Sequence, residues 1–273
     1  MKTVELHRGG GVSGEPSQPG GAALEQVYVG NHSRLFFGGN QKARCTPIWT
    51  ALTVFSLLPT TTPTAGKDDM LITLGTGTEV VARATKGGIN LKTQASTPAD
   101  NDNALLKPAN TDCAMQCVIR AASKIRFSTR VNLTALLTEV VSAGLDENVT
   151  TPIPDATAGD GAAICFDPGE EMGDSLTTAQ HANWILTEKV DGTDTYIDSG
   201  VPVLAGIDYE LEIQIGEDLK PKYYINGELV GTGASALTSG DTVSALVGLQ
   251  VNGTPAGQID MDIRYVAVER NIG

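Results

Sequence analysis

The stretch that decides the fold is Ile207 to Val230, IDYELEIQIGEDLKPKYYINGELV. Tyr209, Leu211, Ile213 and Ile215 alternate with Glu210, Glu212 and Gln214. A period of two gives a strand with one buried face and one wet face. Gly216 to Pro221 reads as a loop, Lys222 to Ile225 as a second strand and Glu228 to Val230 as a third, with Asn226-Gly227 between the last two. A type I′ turn needs positive φ at both central residues, and Asn-Gly meets that need at low steric cost. The stretch predicts antiparallel sheet and carries no catalytic motif.

The same signature recurs outward from it. Ile125, Phe127, Val131 and Leu133 alternate with Lys124, Arg126, Ser128, Arg130 and Asn132. Ala182 to Val190 pairs with Thr193 to Asp198 across Asp191-Gly192, a second favourable turn. In the last strand, Ile259, Met261, Ile263, Tyr265 and Ala267 are expected on one face. Shorter candidates are Gln26 to Val29, Arg34 to Phe37, Met70 to Leu74, Glu79 to Arg83, Ile89 to Lys92, Ala162 to Phe166 and Ser244 to Val251. Pro47 to Leu58 reads as a buried strand or short helix, with Trp49 and Phe55 as core anchors. Residues 96–110 read as an exposed loop, 134–143 as a turn of helix or a bulged connection, and 167–180 as an acidic excursion. Many short strands with frequent turns and little helix predict an all-β protein, an antiparallel β-sandwich. No fixed-period repeat is present, which argues against a propeller or β-helix.

Composition narrows the function classes. The 273 residues are 41% hydrophobic but only 5% aromatic, so the core leans on Val, Ile, Leu and Ala. The 31 glycines and 13 prolines suit many turns. A net charge of −13 argues against nucleic acid, which demands a basic face, and against an anionic membrane surface. It favours solubility or docking on a basic protein surface. No apolar run marks Met1 to Gly21 as a secretory signal, and no stretch approaches the ~20 apolar residues of a membrane helix. Asn-x-Ser/Thr triplets at Asn31, Asn132, Asn148 and Asn252 carry little weight without a signal.

Chemistry-bearing residues are sparse. Cys45, Cys113, Cys117 and Cys165 form no CxxC pair, and His7, His32 and His181 complete no zinc set. Buried free thiols are the expectation, with no metal and no cofactor. Glu210-Leu211-Glu212 and Asp260-Met261-Asp262 each put two carboxylates on one strand face, on strands whose wet side would bear such charges anyway. Cys165 with His181 is a conceivable nucleophile and base without supporting context, and no G-x-S-x-G elbow exists. No catalytic residues are expected. Asp100 to Asn103 and Asp191 to Asp194 have calcium-ligand composition but read as solvated turns, and Trp184 and Trp49 read as core rather than sugar-stacking residues.

Two parts of the chain are expected to make contacts. Residues 1–22 read as an extended Gly/Pro-rich arm, and 23–273 as the folded domain. The arm is expected to lie on a neighbouring subunit through Val4, Leu6 and His7. Lys124, Arg126 and Arg130 form a positive stripe. It reads either as a solvated face with acidic cross-strand neighbours or as a contact surface, with Arg126 and Arg130 the contact candidates.

The order of elements carries a resemblance. KIRFSTRVNL, a loop ending in Gly144-Leu145, AAICF, ANWIL with its hairpin, YELEIQI with KYYINGELV, and the closing IDMDIRYVAVER resemble the concanavalin A-like (LamG-like) jelly-roll. The closing strand is similar to versions found in tailed-phage virion proteins. The resemblance implies a jelly-roll, in a family that includes lectins, glycan-binding modules, glucanases and phage structural proteins; with no catalytic set, the expectation is a virion structural protein and not an enzyme. The first expectation is a capsid decoration (cement) protein on the head surface, made in the host cytoplasm, whose partners are the major capsid protein and further copies of itself as a dimer or trimer. The alternative it implies is a glycan-binding head-fibre or tail module.

Overall fold

A computed structural model describes the strand backbones 2–5, 23–29, 32–38, 48–54, 70–74 and 79–82, and residues 88–93, 99–108, 116–147, 159–170, 172, 175–253 and 257–271. The strands in chain order are β1 (Lys2–Glu5), β2 (Ala23–Val29), β3 (His32–Gly38), β4 (Ile48–Val54), β5 (Met70–Leu74), β6 (Glu79–Ala82) and β7 (Ile89–Lys92). Next come β8 (Asn103–Pro108), β9 (Gln116–Val118), β10 (Ile125–Leu133), β11 (Glu139–Asp146), β12 (Gly161–Phe166), β13 (Asn183–Val190) and β14 (Thr193–Pro202). The last are β15 (Asp208–Ile215), β16 (Pro221–Ile225), β17 (Glu228–Thr232), β18 (Thr242–Val251) and β19 (Asp260–Asn271), and a single 3-10 turn, Gln180–Ala182, precedes β13.

Two antiparallel sheets form the sandwich. The first runs β1-β2-β3-β4-β19-β10-β15-β16-β17, with β7 also on β19 and β6 on β7. The second runs β14-β13-β12-β11-β18-β8-β5, with β9 on β18. The two turn dipeptides behave as their chemistry requires: φ is 53° and 81° at Asn226 and Gly227, and 49° and 76° at Asp191 and Gly192. The opening stretch is thus β15, β16 and β17, consecutive at one edge of the first sheet. Ile125, Phe127, Leu211, Ile213 and Tyr223 from the first sheet share a core with Val141, Leu145, Ile164, Leu186 and Val247 from the second. Trp184 is fully buried there, edge-on to Phe166 at 6.2 Å and to Tyr209 at 5.3 Å, so it is a core residue as its sequence context implies.

Three expectations need correction. Residues 134–143 include no helical turn; Glu139–Asp146 is a strand buried along its whole length. Residues 96–110 are not a plain exposed loop, because Asn103–Pro108 is a strand whose Ala104, Leu105 and Leu106 are fully buried. The last strand does not keep one inner face. Ile259, Met261 and Ile263 point inward, but after a register shift opposite Arg130 the buried residues become Val266 and Val268. A β-bulge at Arg264 and Tyr265 accounts for the switch, and the Thr129 hydroxyl donates to the Tyr265 carbonyl at 2.7 Å within it. Pro47 to Leu58 resolves in favour of a strand, Ile48–Val54. The Trp49 side chain, Phe55, Cys45 and Cys113 lie outside the described residues.

The two sheets differ in what lies on their outer faces. On the second sheet, Ala163, Cys165 and Ile185 point away from the main core yet are buried, under Met172, Leu176 and Tyr196. The first sheet instead turns polar side chains outward from β16, β15, β10 and β19. That polar face, and the end of the sandwich it leads to, is where the candidate site lies.

Candidate functional site: a cationic cleft beside a polar sheet face

Cross-strand register builds the site. Apart from Thr129, the inner residues of β10 and β15 are apolar, so Arg126, Ser128 and Arg130 share the outer face with Gln214, Glu212 and Glu210, to which they pair in that order. Beyond β15, Lys222 pairs with Gln214 and Tyr224 with Glu212; beyond β10, Glu269 pairs with Arg126. One row across the sheet therefore reads Lys222, Gln214, Arg126, Glu269. The next reads Tyr224, Glu212, Ser128, Ala267.

A cleft of about 280 Å³ opens where these strands end. Lys124, Ile125 and Arg126 line it from the start of β10, and Gln214, Ile215 and Gly216 from the end of β15. Lys222 from β16 and Glu269 and Arg270 from β19 complete it. Ile125 and Ile215 belong to the core and give the cleft an apolar floor. Arg270 reaches toward the second sheet, its Nη1 donating to the Gln116 carbonyl at 2.7 Å.

The charges at the site are held to different degrees. Arg126 Nη2 lies 2.5 Å from Glu212 Oε2, and Nη1 lies 3.5 Å from Glu269 Oε2. Glu212 is buried, and Gln214 Nε2 donates to its other oxygen at 2.5 Å. The hydrogen bond that Arg126 donates to Glu212 raises the Arg126 pKa above its ordinary value, so this guanidinium stays charged. By contrast, Lys124 pairs with Glu217 at 2.9 Å between two exposed side chains, and Lys222 pairs with Asp218 only at 3.9 Å. Exposed pairs of this kind contribute about 0–1 kcal/mol. Along the face from the cleft, the Tyr265 hydroxyl lies 3.3 Å from Glu210 Oε1, and burial followed by the Glu210 charge raises its pKa. Leu229, 56% exposed, pairs with Tyr224 across β16 and β17.

The contact candidates are distributed unevenly. Arg126 is in the cleft; Arg130 lies four residues along the strand on the same face, its Nη2 3.2 Å from Asp208. The positive stripe thus has the acidic cross-strand neighbours that one of its two readings required. Val4 lies in β1, paired with Gln26 in the first sheet. Leu6 and His7 fall outside the described residues. Gln214, Lys222, Glu269 and Arg270 were not singled out by sequence. The available signal was that the ends of β10, β15 and β19 must meet at one end of the sandwich once those strands pair.

The carboxylate pairs behave as structural groups. Glu212 is committed to Arg126 and Gln214, Asp262 accepts from Asn90 Nδ2 at 2.7 Å, and Asp260 accepts from Asn90 and from the Thr134 hydroxyl. Cys165 is fully buried, and burial pushes its thiol up to about 12. Its neighbours are the hydroxyls of Ser142 at 3.4 Å and Thr187 at 3.8 Å, while His181 Nδ1 is 2.7 Å from the Asp167 carbonyl. The carboxylates of the Asp100–Asn103 turn are engaged by backbone, Asp102 accepting from the Ala99 amide and Asp100 from the distant Gly253 amide. Among the described residues, no group of three or more His, Cys, Asp or Glu side chains is placed to hold a metal ion. Among them too, no helix is long and apolar enough to cross a membrane.

Comparison with known proteins bears on the fold. No protein-family model matches the chain, and no curated protein matches it significantly. Among solved structures, a protein of unknown function from Shewanella oneidensis MR-1 superposes with a TM-score of 0.52 at 10% identity, over 85% of this chain and 90% of that one. The fold is an antiparallel jelly-roll β-sandwich. Two further similar structures are a β-glucanase from Bacillus licheniformis (TM-score 0.48, 10% identity, 82% of this chain and 98% of that one) and a carbohydrate-binding module from Bacillus subtilis (0.40, 11%, 71% and 94%). At such identities the likeness concerns architecture alone.

Proposed function

We propose that this chain is a non-catalytic glycan-recognition module, of the kind a head fibre or tail would carry. The observation that carries the reading is the cleft opening onto a polar sheet face with Tyr224 beside it, two residues along β16 from the cleft-lining Lys222. Sugar rings need fixed hydrogen-bonding groups for their hydroxyls and an apolar or aromatic surface for their C–H faces. Gln214, Arg126 and Glu269 supply the first, already held in place by one another and by Glu212. Tyr224 and Leu229 supply the second. Glu212, behind the cleft, is engaged by two donors, and the cleft-lining Glu269 pairs with Arg126, which supports binding rather than turnover.

A glycan array probed with the purified chain tests the reading. Specific binding that Tyr224→Ala reduces is the expected result. An array with no hit above background would overturn it.

A second reading, capsid decoration, has one observation in its favour. β1 to β4 continue the first sheet past β19, and extended β-structure of this kind suits clamping between subunits. Capsids assembled with and without the chain, compared for resistance to heat, distinguish it: a gain in resistance supports this reading, and no gain removes it.

A further inference from the structure

We infer that the cleft takes the carboxylate-bearing ring of an acidic glycan, with Lys124 and Lys222 as the groups that grip the carboxylate. This rests on the glycan-recognition reading above and specifies its ligand class. The chain carries a net charge of −13, yet the cleft is lined by Lys124, Arg126, Lys222 and Arg270 against a single carboxylate, Glu269. A cationic recess on an acidic protein focuses anions at one place.

The four cations are not equivalent. Arg126 is fixed between Glu212 and Glu269, and Arg270 is engaged with the Gln116 carbonyl, so both shape the wall. Among the described residues, Lys124 and Lys222 pair with Glu217 and Asp218, whose side chains are 73% and 49% exposed. Those carboxylates can turn to solvent at little cost, releasing two ammonium groups on either side of the β15 end. Between them Gln214 spends its amide nitrogen on Glu212, which leaves its carbonyl oxygen to accept from a sugar hydroxyl. Ile125 and Ile215 form the floor, and Gly216 at the rim adds no side chain. The cleft is at the small end of ligand-pocket volumes, a size for one ring rather than an extended chain.

The backbone at Lys124 supports the assignment. Its φ is +43°, in the left-handed region where a long side chain is uncommon and glycine is at ease. It follows a turn closed by the Ser123 amide on the Arg120 carbonyl at 2.9 Å, and this turn sets the Lys124 side chain at the wall of the recess.

The geometry also supplies a variant that separates binding from folding. Lys124→Gly relieves the backbone and removes the ammonium, so it is expected to fold at least as well as the parent. The full chain is titrated calorimetrically with an oligogalacturonate, a hyaluronan oligosaccharide and sialyllactose, each beside its neutral methyl ester. The expected result is that at least one acid binds about tenfold or more tighter than its ester. Lys124→Gly and Lys222→Gln each remove most of that advantage, and raising the salt concentration weakens the acid alone. Equal affinity for acid and ester overturns the inference, as does an acid preference untouched by both variants. Neutral glycans binding on the array while no acid binds in titration also overturns it, leaving glycan recognition standing. Silence in both assays overturns both.

Discussion

Glu139 offers a direct test of how the sandwich end is built. Its side chain is fully buried at the start of β11, opposite Val251, which belongs to the core. One carboxylate oxygen accepts from the Leu137 amide at 2.7 Å, and the other has no hydrogen-bond partner among the described residues. Burial raises its pKa from 4.5 to about 7, outweighing the backbone hydrogen bonds that lower it. That displacement corresponds to about 3 kcal/mol. The folded protein keeps this proton to about pH 7, whereas the unfolded chain releases it near 4.5. Between those values the folded state binds more protons, so this group's contribution to stability falls as pH rises from 4.5 to 7. Glu139→Gln cannot ionise. Its amide meets the unpartnered site at a fixed cost, so its stability relative to the parent should improve by up to about 3 kcal/mol between pH 4.5 and pH 8. In thermal unfolding that amounts to roughly 6–12 °C. Denaturant titrations of both proteins at four pH values across the window provide the measurement. A parent–variant difference that is flat with pH, or that moves in the opposite direction, would refute the assignment of a buried, proton-holding carboxyl.

Three further outcomes follow from the second sheet. Lys189 and Asp146 form a buried ion pair at 2.8 Å, so Lys189→Met should cost about 3–5 kcal/mol by calorimetry, and Lys189→Met with Asp146→Leu should recover most of it. Gly144→Ala would place a methyl 2.3 Å from the Ala162 carbonyl oxygen, where backbone must yield; a loss of at least ~1–3 kcal/mol is expected, and an unchanged denaturation midpoint would count against the close approach of β11 and β12. The Cys165 thiol, pushed up to about 12 and buried, should stay unmodified by iodoacetamide at pH 8 in the folded protein and react once denatured, as mass spectrometry would show.

Legibility in the sequence followed local pattern. Strands with one wet face, such as β10 and β15, announce themselves by alternation, and both Asn226-Gly227 and Asp191-Gly192 specify their turns. β11 has no wet face to alternate with: Val140, Ser142 and Gly144 are buried as fully as Val141, Ala143 and Leu145. Small residues lying between two covered layers carry no period-two signature. β8 was hidden by the polar turn that leads into it. The face switch in β19 depends on a bulge opposite Arg130, which the chain does not encode locally. The site was legible only in part for the same reason. Arg126 was visible as an outward cation, but its partners Glu212 and Glu269 are 86 and 143 residues away in sequence. The stripe's net charge was therefore set by strand pairing rather than by the stripe itself.

The central place of β19 has a consequence for how the protein is made. This strand joins β10 on one side and both β7 and β4 on the other, so it is the seam holding three parts of the first sheet together. On the ribosome, β4, β7 and β10 emerge long before it, and the strand edges that pair with it must wait. Such late, long-range closure makes for slow folding and leaves unpaired strand edges exposed meanwhile. Emergence of β19, rather than growth of the earlier strands, is then the event that completes the first sheet.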